Sequence, residues 1–162
     1  MQAVYGTASG TLIAGGSQHL YDGASAVSGT LIAGTQYVDD GAIASGTVVS
    51  GTGVQSVMSG GQASGVTVSG GSQNVANGGS ADATTIVNGG VQTVAGSATN
   101  TVVSTGGTQT VSGGAVSATT VNGGAQIISA GGSATSTTLN GGGLSGGPAC
   151  WQPSRTRWPR CW

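Results

Sequence analysis

Seven glutamines, Gln18, Gln36, Gln55, Gln73, Gln92, Gln109 and Gln126, recur at intervals of 18, 19, 18, 19, 17 and 17 residues. A short fixed period constrains the fold more than any other feature here, because it specifies a stack of similar units rather than one globular core. Two residues before each glutamine stands a glycine: Gly16, Gly34, Gly53, Gly71, Gly90, Gly107 and Gly124. Two residues after it stands an aliphatic residue: Leu20, Val38, Val57, Val75, Val94, Val111 and Ile128. The position between varies freely, from His19 and Tyr37 to Asn74 and Ile127. Fixed glutamine, free position and fixed aliphatic at a spacing of two describe a strand with one inward face.

Glycine supplies 34 of 162 residues, a content that usually marks a flexible chain. The strict placement of the aliphatics argues for folding instead, and so does a charged fraction of only 4%, since disorder goes with high net charge. The apolar stretches are short, rich in Val, Ile and Thr, and punctuated by Gly pairs often preceded by Asn or Ser. This is strand and turn chemistry, and glycine at such density penalises any helix. Each unit is long enough to close one turn of a coil, and successive turns stack about 4.8 Å apart. The predicted fold is therefore all-β: a right-handed parallel β-helix of about eight turns of 17–19 residues.

In such a coil the aliphatic column after glutamine is expected to fill the interior. A second column, Ile13, Ile32, Val49, Val68, Val87, Val103, Val121 and Leu139, is expected to join it, with Ala26, Ala44, Ala63, Ala81, Ala98 and Ala134 where the coil is narrow. The glutamines share the parity of the core valines and could form an amide ladder. An exposed ladder beside the glycine corner is the alternative.

Composition changes abruptly at Pro148. All three Pro, all three Trp, both Cys (Cys150 and Cys161) and all three Arg lie in residues 148–162, whereas the only charges before them are Asp22, Asp39, Asp40 and Asp82. The expected organisation is a β-helical region over residues 1–147 and an irregular basic tail over 148–162. A shifted reading frame is the preferred reading of the tail, with a capping segment or a nucleic-acid or membrane-surface patch as alternatives. No basic or apolar leader is legible at the start, and the repeat is already running by Ala8, so a piece of a longer protein is expected. No apolar run reaches the length of a membrane-spanning helix.

The stretch Val68-Ser69-Gly70-Gly71-Ser72-Gln73-Asn74-Val75-Ala76-Asn77-Gly78-Gly79-Ser80-Ala81 resembles the passenger repeats of AIDA-type bacterial autotransporter adhesins. So does Val121-Asn122-Gly123-Gly124-Ala125-Gln126-Ile127-Ile128-Ser129-Ala130-Gly131-Gly132-Ser133-Ala134, and the resemblance runs through residues 8–144. It implies a β-helical passenger carried through the outer membrane by a C-terminal barrel, and displayed on the cell surface or secreted in the parent protein. It further implies adhesion to host cells or abiotic surfaces, self-association through the faces or ends of the coil, biofilm formation, and modification of repeat Ser or Thr by a glycosyltransferase. Neither a nucleic-acid partner nor a cofactor is expected.

Catalytic chemistry finds little support. Asp22 and Asp40 occupy one slot of the repeat, but Ser59 and Asn77 fill it in the next two units, which marks a turn position. His19 is the single histidine and falls in the freely varying column, where a solvated strand residue is expected. No catalytic, cofactor or metal residues are assigned, and the chain is expected not to be an enzyme. An ice-binding solenoid is the competing function, yet its candidate row (Thr11, Thr30, Thr47, Thr67, Thr84, Thr101, Thr119 and Thr137) drifts relative to glutamine. A non-functional remnant of a truncated adhesin gene is a further alternative.

Overall fold

A computed structural model describes residues 1–146. The expectations for the tail 148–162, its cysteines included, lie outside the described residues. Within them every regular element is a strand, and every strand pair is parallel, as in a coil whose turns stack in register. One turn runs through Ser72–Val75, Ser80–Asp82 and Thr85–Val87 before the chain rises to the next glutamine strand, Val91–Val94. The parallel β-solenoid of about eight turns expected from the period is the fold observed.

The glutamine strands stack residue on residue: Gln18 on Gln36, Gln55 on Gln73, Gln92 on Gln109 and Gln109 on Gln126. The opening strand Gln2–Val4 pairs with Ser17–Leu20 and sets Gln2 on Gln18. That eighth glutamine escaped the period because its turn is only 16 residues long. Leu20, Val38, Val57, Val75, Val94, Val111 and Ile128 form one buried column. Ala26, Ala44, Ala63, Ala81 and Ala98 form a second, in register with Ala8, Val116 and Ala134. No single turn buries its apolar residues; each column is covered only by the turns above and below it.

The third inner column corrects the sequence expectation. Leu31 and Ile86, not Ile32 and Val87, stack with Val49, Val68 and Val103, and Ile32 is 48% exposed. The corner joining this strand to the glutamine strand varies in length, so counting back from glutamine loses parity where two aliphatics are adjacent. The ladder itself shifts register between Leu31 and Ala33. Leu139 does pair with Val121, but it is 39% exposed because no described turn stacks above it.

From Gly34 to Gly124 the glycine before each glutamine is needed for close approach, whereas Gly16 has open space around it. A methyl group at Gly53 would stand 2.7 Å from the Leu31 carbonyl oxygen, and one at Gly107 would stand 2.5 Å from that of Ile86. Both distances are shorter than van der Waals contact, although neither glycine has a positive φ. Left-handed backbone is concentrated elsewhere. The position after each alanine strand, Gly10, Ser28, Gly46, Gly65, Ala83, Asn100, Ala118 and Ser136, has φ between 52° and 62° in all eight turns.

Candidate functional site: a buried amide ladder and the surface it supports

The glutamines lie inside the coil, at most 1% exposed from Gln18 to Gln126. Each Nε2 donates to the Oε1 of the preceding turn: Gln18 to Gln2, Gln36 to Gln18 and Gln92 to Gln73 at 2.7 Å, Gln73 to Gln55 at 2.8 Å and Gln55 to Gln36 at 2.9 Å. Gln109 and Gln126 continue the run at 2.7 Å. A buried amide without partners costs free energy, and stacking identical turns supplies both partners to every interior member. The glutamines thus fix register and do not face a ligand.

Threonines complete the ladder. Thr84, Thr119 and Thr137 donate to Oε1 of Gln73, Gln109 and Gln126 at 3.2, 3.4 and 3.0 Å. They belong to a column with Thr11, Gly29, Thr47, Val66 and Thr101, each linked to the next turn through its carbonyl oxygen. Thr47 and Thr101 sit in the same column with no partner for their hydroxyls. This corrects the threonine row read from the sequence. Thr30 and Thr67 belong to the neighbouring outward column, while Thr47, Thr84, Thr101 and Thr119 are buried and offer no exposed lattice.

The surface is carried by the outward positions between these columns. On the alanine strands they include Ser45, Ser64, Asp82, Thr99, Ser117 and Thr135, stacked turn on turn. The Thr99 hydroxyl at 2.6 Å and the Asn100 amide at 2.8 Å donate to the Asp82 carboxylate and hold it below the usual carboxylate range. A shallow groove runs along one corner, floored by Gly79, Gly96 and Gly114 and rimmed by Ser80, Ser97 and Ser133. It exists because Ala95 and Gly96 alone join Val94 to Ser97, whereas four residues join Val75 to Ser80.

Other candidates resolve into structural roles. Asp22, Asp40, Ser59 and Asn77 each take the second position of a four-residue turn closed by a backbone bond, such as Ala42 N–H to Asp39 at 3.0 Å. Asp22, Asp40 and Ser59 lie against Gly41, Gly60 and Gly78 of the following turns, where an added Cβ would displace their side-chain oxygens. His19 is only 26% exposed, stacked on Tyr37 with centroids 4.3 Å apart, and its Nδ1 stands 3.8 Å from Asp39. Tyr5 stacks on Tyr21 at 4.8 Å. Sequence reading missed this aromatic cluster, although Tyr37 follows His19 by one repeat and Tyr21 follows Tyr5 by another. Among the described residues no three His, Cys, Asp or Glu side chains are grouped to hold a metal ion.

No family model matches the chain, and no curated protein matches it either. Among solved structures it is similar to the crystal structure of a TibA fragment, residues 55–350, hyper-glycosylated by TibC. The two share 38% sequence identity with a TM-score of 0.75, over 91% of this chain. The chain spans 64% of that fragment, just under two thirds of its length. The period, the register and this likeness together are consistent with the passenger repeats of AIDA-type autotransporter adhesins.

Proposed function

We propose that this chain is an adhesive surface module, part of an autotransporter passenger displayed on or released from the cell surface. The observation that carries the reading is the outer surface: stacked rows of hydroxyls and amides on a stiff coil, with 4% of the whole chain charged. Such faces meet a second copy with little like-charge repulsion, so cells aggregate through side-by-side pairing of coils. The same rows offer serine and threonine hydroxyls to a glycosyltransferase, as TibC modifies the TibA fragment. Exposed Ser80, Ser97 and Ser133 are the first positions expected to carry sugar.

The test places the chain in a displayed passenger and follows cell settling. Ser45→Asp, Ser64→Asp and Ser117→Asp together put repulsive charge on one face without touching the core. Settling is expected to slow at low salt and to recover as salt screens the new charge. Unchanged settling at all salt concentrations, with the coil still folded by circular dichroism, would reject the face-to-face reading. Co-expression with a glycosyltransferase of the TibC kind tests the second part, by the mass of peptides spanning residues 80–97.

A further inference from the structure

We propose that Asn77 is a site of spontaneous, structure-gated deamidation, which places a carboxylate on the rim of the glycine groove. The chain contains Asn77-Gly78, Asn88-Gly89, Asn122-Gly123 and Asn140-Gly141, all exposed at the asparagine. The reaction is the same at each: the glycine amide nitrogen loses its proton and attacks the asparagine Cγ. A C–N bond forms, ammonia leaves, and water opens the cyclic imide at either carbonyl to give aspartate or isoaspartate. Nothing is oxidised or reduced, and the co-reactant is water. The rate depends on whether the glycine N–H is free and the side chain can swing onto it.

The fold separates the four sites. Gly89 N–H donates to the Gly106 carbonyl at 3.0 Å, and Gly123 N–H donates to that of Gly141 at 3.1 Å. Both side chains are also held, since Asn88 Nδ2 donates to Ser69 Oγ at 3.3 Å and Asn122 Oδ1 accepts from Asn140 at 3.1 Å. Gly141 N–H has no backbone acceptor, but the Asn140 side chain is held by its bond to Asn122. At Asn77-Gly78 both the glycine amide and the side chain are free. In its own column Gly41 N–H donates to Gly60 and Gly60 N–H donates to Gly78, but Gly78 N–H, like that of Gly23, has no backbone acceptor. The next corner is also short at Gly78: Ala95-Gly96 lacks the residues that would lie over Asn77 and Gly78, so both border the open groove. The Asn77 amide makes no hydrogen bond there, and the missing residues leave room for the five-membered ring. The product carboxylate enters the column that holds Asp22 and Asp40, beside Ser80 and Ser97.

The test incubates the full chain at mildly alkaline pH in ¹⁸O-labelled water and maps peptic peptides by mass. Isoaspartate is resolved from aspartate by chromatography. In native buffer Asn77 is expected to convert on the order of tenfold faster than Asn88 and Asn122, whose glycine amides must first break a backbone bond, and faster than Asn140, whose side chain must first leave Asn122. In denaturant the four rates are expected to converge. Asn77→Ser, which installs the residue found at Ser59, is expected to remove the fast phase and leave the slow ones. Equal rates at the four sites in native buffer would overturn the proposal, as would a fast phase that survives in Asn77→Ser.

Discussion

The first four turns and the last four share one interior and differ on the outside. Both halves bury the same glutamine and aliphatic columns in unbroken register. Outside, the early turns expose Tyr5, Leu12, Ile32, Ile43, Val48 and Met58, together with the stacked His19–Tyr37 pair and three of the four aspartates before the tail. The later turns present mainly Ser, Thr, Asn and Gly, with Asp82 as their single carboxylate. Stacking dictates what faces inward, because an amide or aliphatic column works only if every turn supplies a member. Nothing comparable binds the outward positions, so they are where one part of the rod can differ in what it contacts.

If the interior is one continuous device, the same lesion must cost the same in either half. Gln73→Leu would orphan the Gln55 carbonyl oxygen and the Gln92 amide inside the coil. Gln36→Leu would do the same to Gln18 and Gln55. Each variant is expected to lose about 3–4 kcal/mol, or to unfold outright, read from urea midpoints. The Thr84 hydroxyl adds to the loss only in the later half, so Gln73→Leu is expected to be the worse by under about 1 kcal/mol. A much larger gap would show that the two halves unfold as separate units and break the comparison.

A second difference lies in the backbone. The left-handed column holds three glycines and one serine, Gly10, Ser28, Gly46 and Gly65, in the first four turns but Ala83, Asn100, Ala118 and Ser136 in the last four. An L residue there costs roughly 1 kcal/mol that glycine avoids, partly offset by glycine's greater freedom when unfolded. Ala83→Gly and Ala118→Gly are each expected to stabilise the chain by about 0.5 kcal/mol. Gly46→Ala and Gly65→Ala meet no neighbour closer than 3.7 Å and are expected to destabilise by a similar amount. If all four substitutions destabilise, the positive φ values of the later turns are not those of the chain in solution.

The two halves also explain what the sequence could reveal. The glutamine and aliphatic columns were legible because the strand joining Gln to its aliphatic partner never changes length, so parity survives through all seven repeats. The third inner column was legible only in part. Its corner varies, and adjacent pairs such as Leu31-Ile32 and Ile86-Val87 leave parity open until the ladder is seen. The left-handed column was hidden for a different reason. Five of its eight members are not glycine, so residue type gives no signal, and only their spacing from the alanine column marks them. The threonines illustrate the converse error, since eight residues of one type looked like one drifting row but belong to two columns of opposite facing.

Asp82 provides the smallest test and the most local one. Its carboxylate accepts bonds from Thr99 and Asn100 of the next turn, which lowers its pKa from the ordinary 3.8. A depressed folded value means that the pair stabilises the coil above the unfolded pKa and stops doing so as pH falls through the folded one. Thermal melts at about pH 6 and about pH 3 should therefore show a slightly larger acid loss for the native chain than for Asp82→Asn. The difference is expected to be small, because the group is fully exposed and water screens it. Asp22, Asp39 and Asp40 remain in both proteins, so their contribution cancels in the comparison. Identical acid losses would mean that the contacts from Asp82 to Thr99 and Asn100 are not held in solution. The outer rows of the later turns would then be ordered by the backbone ladder alone.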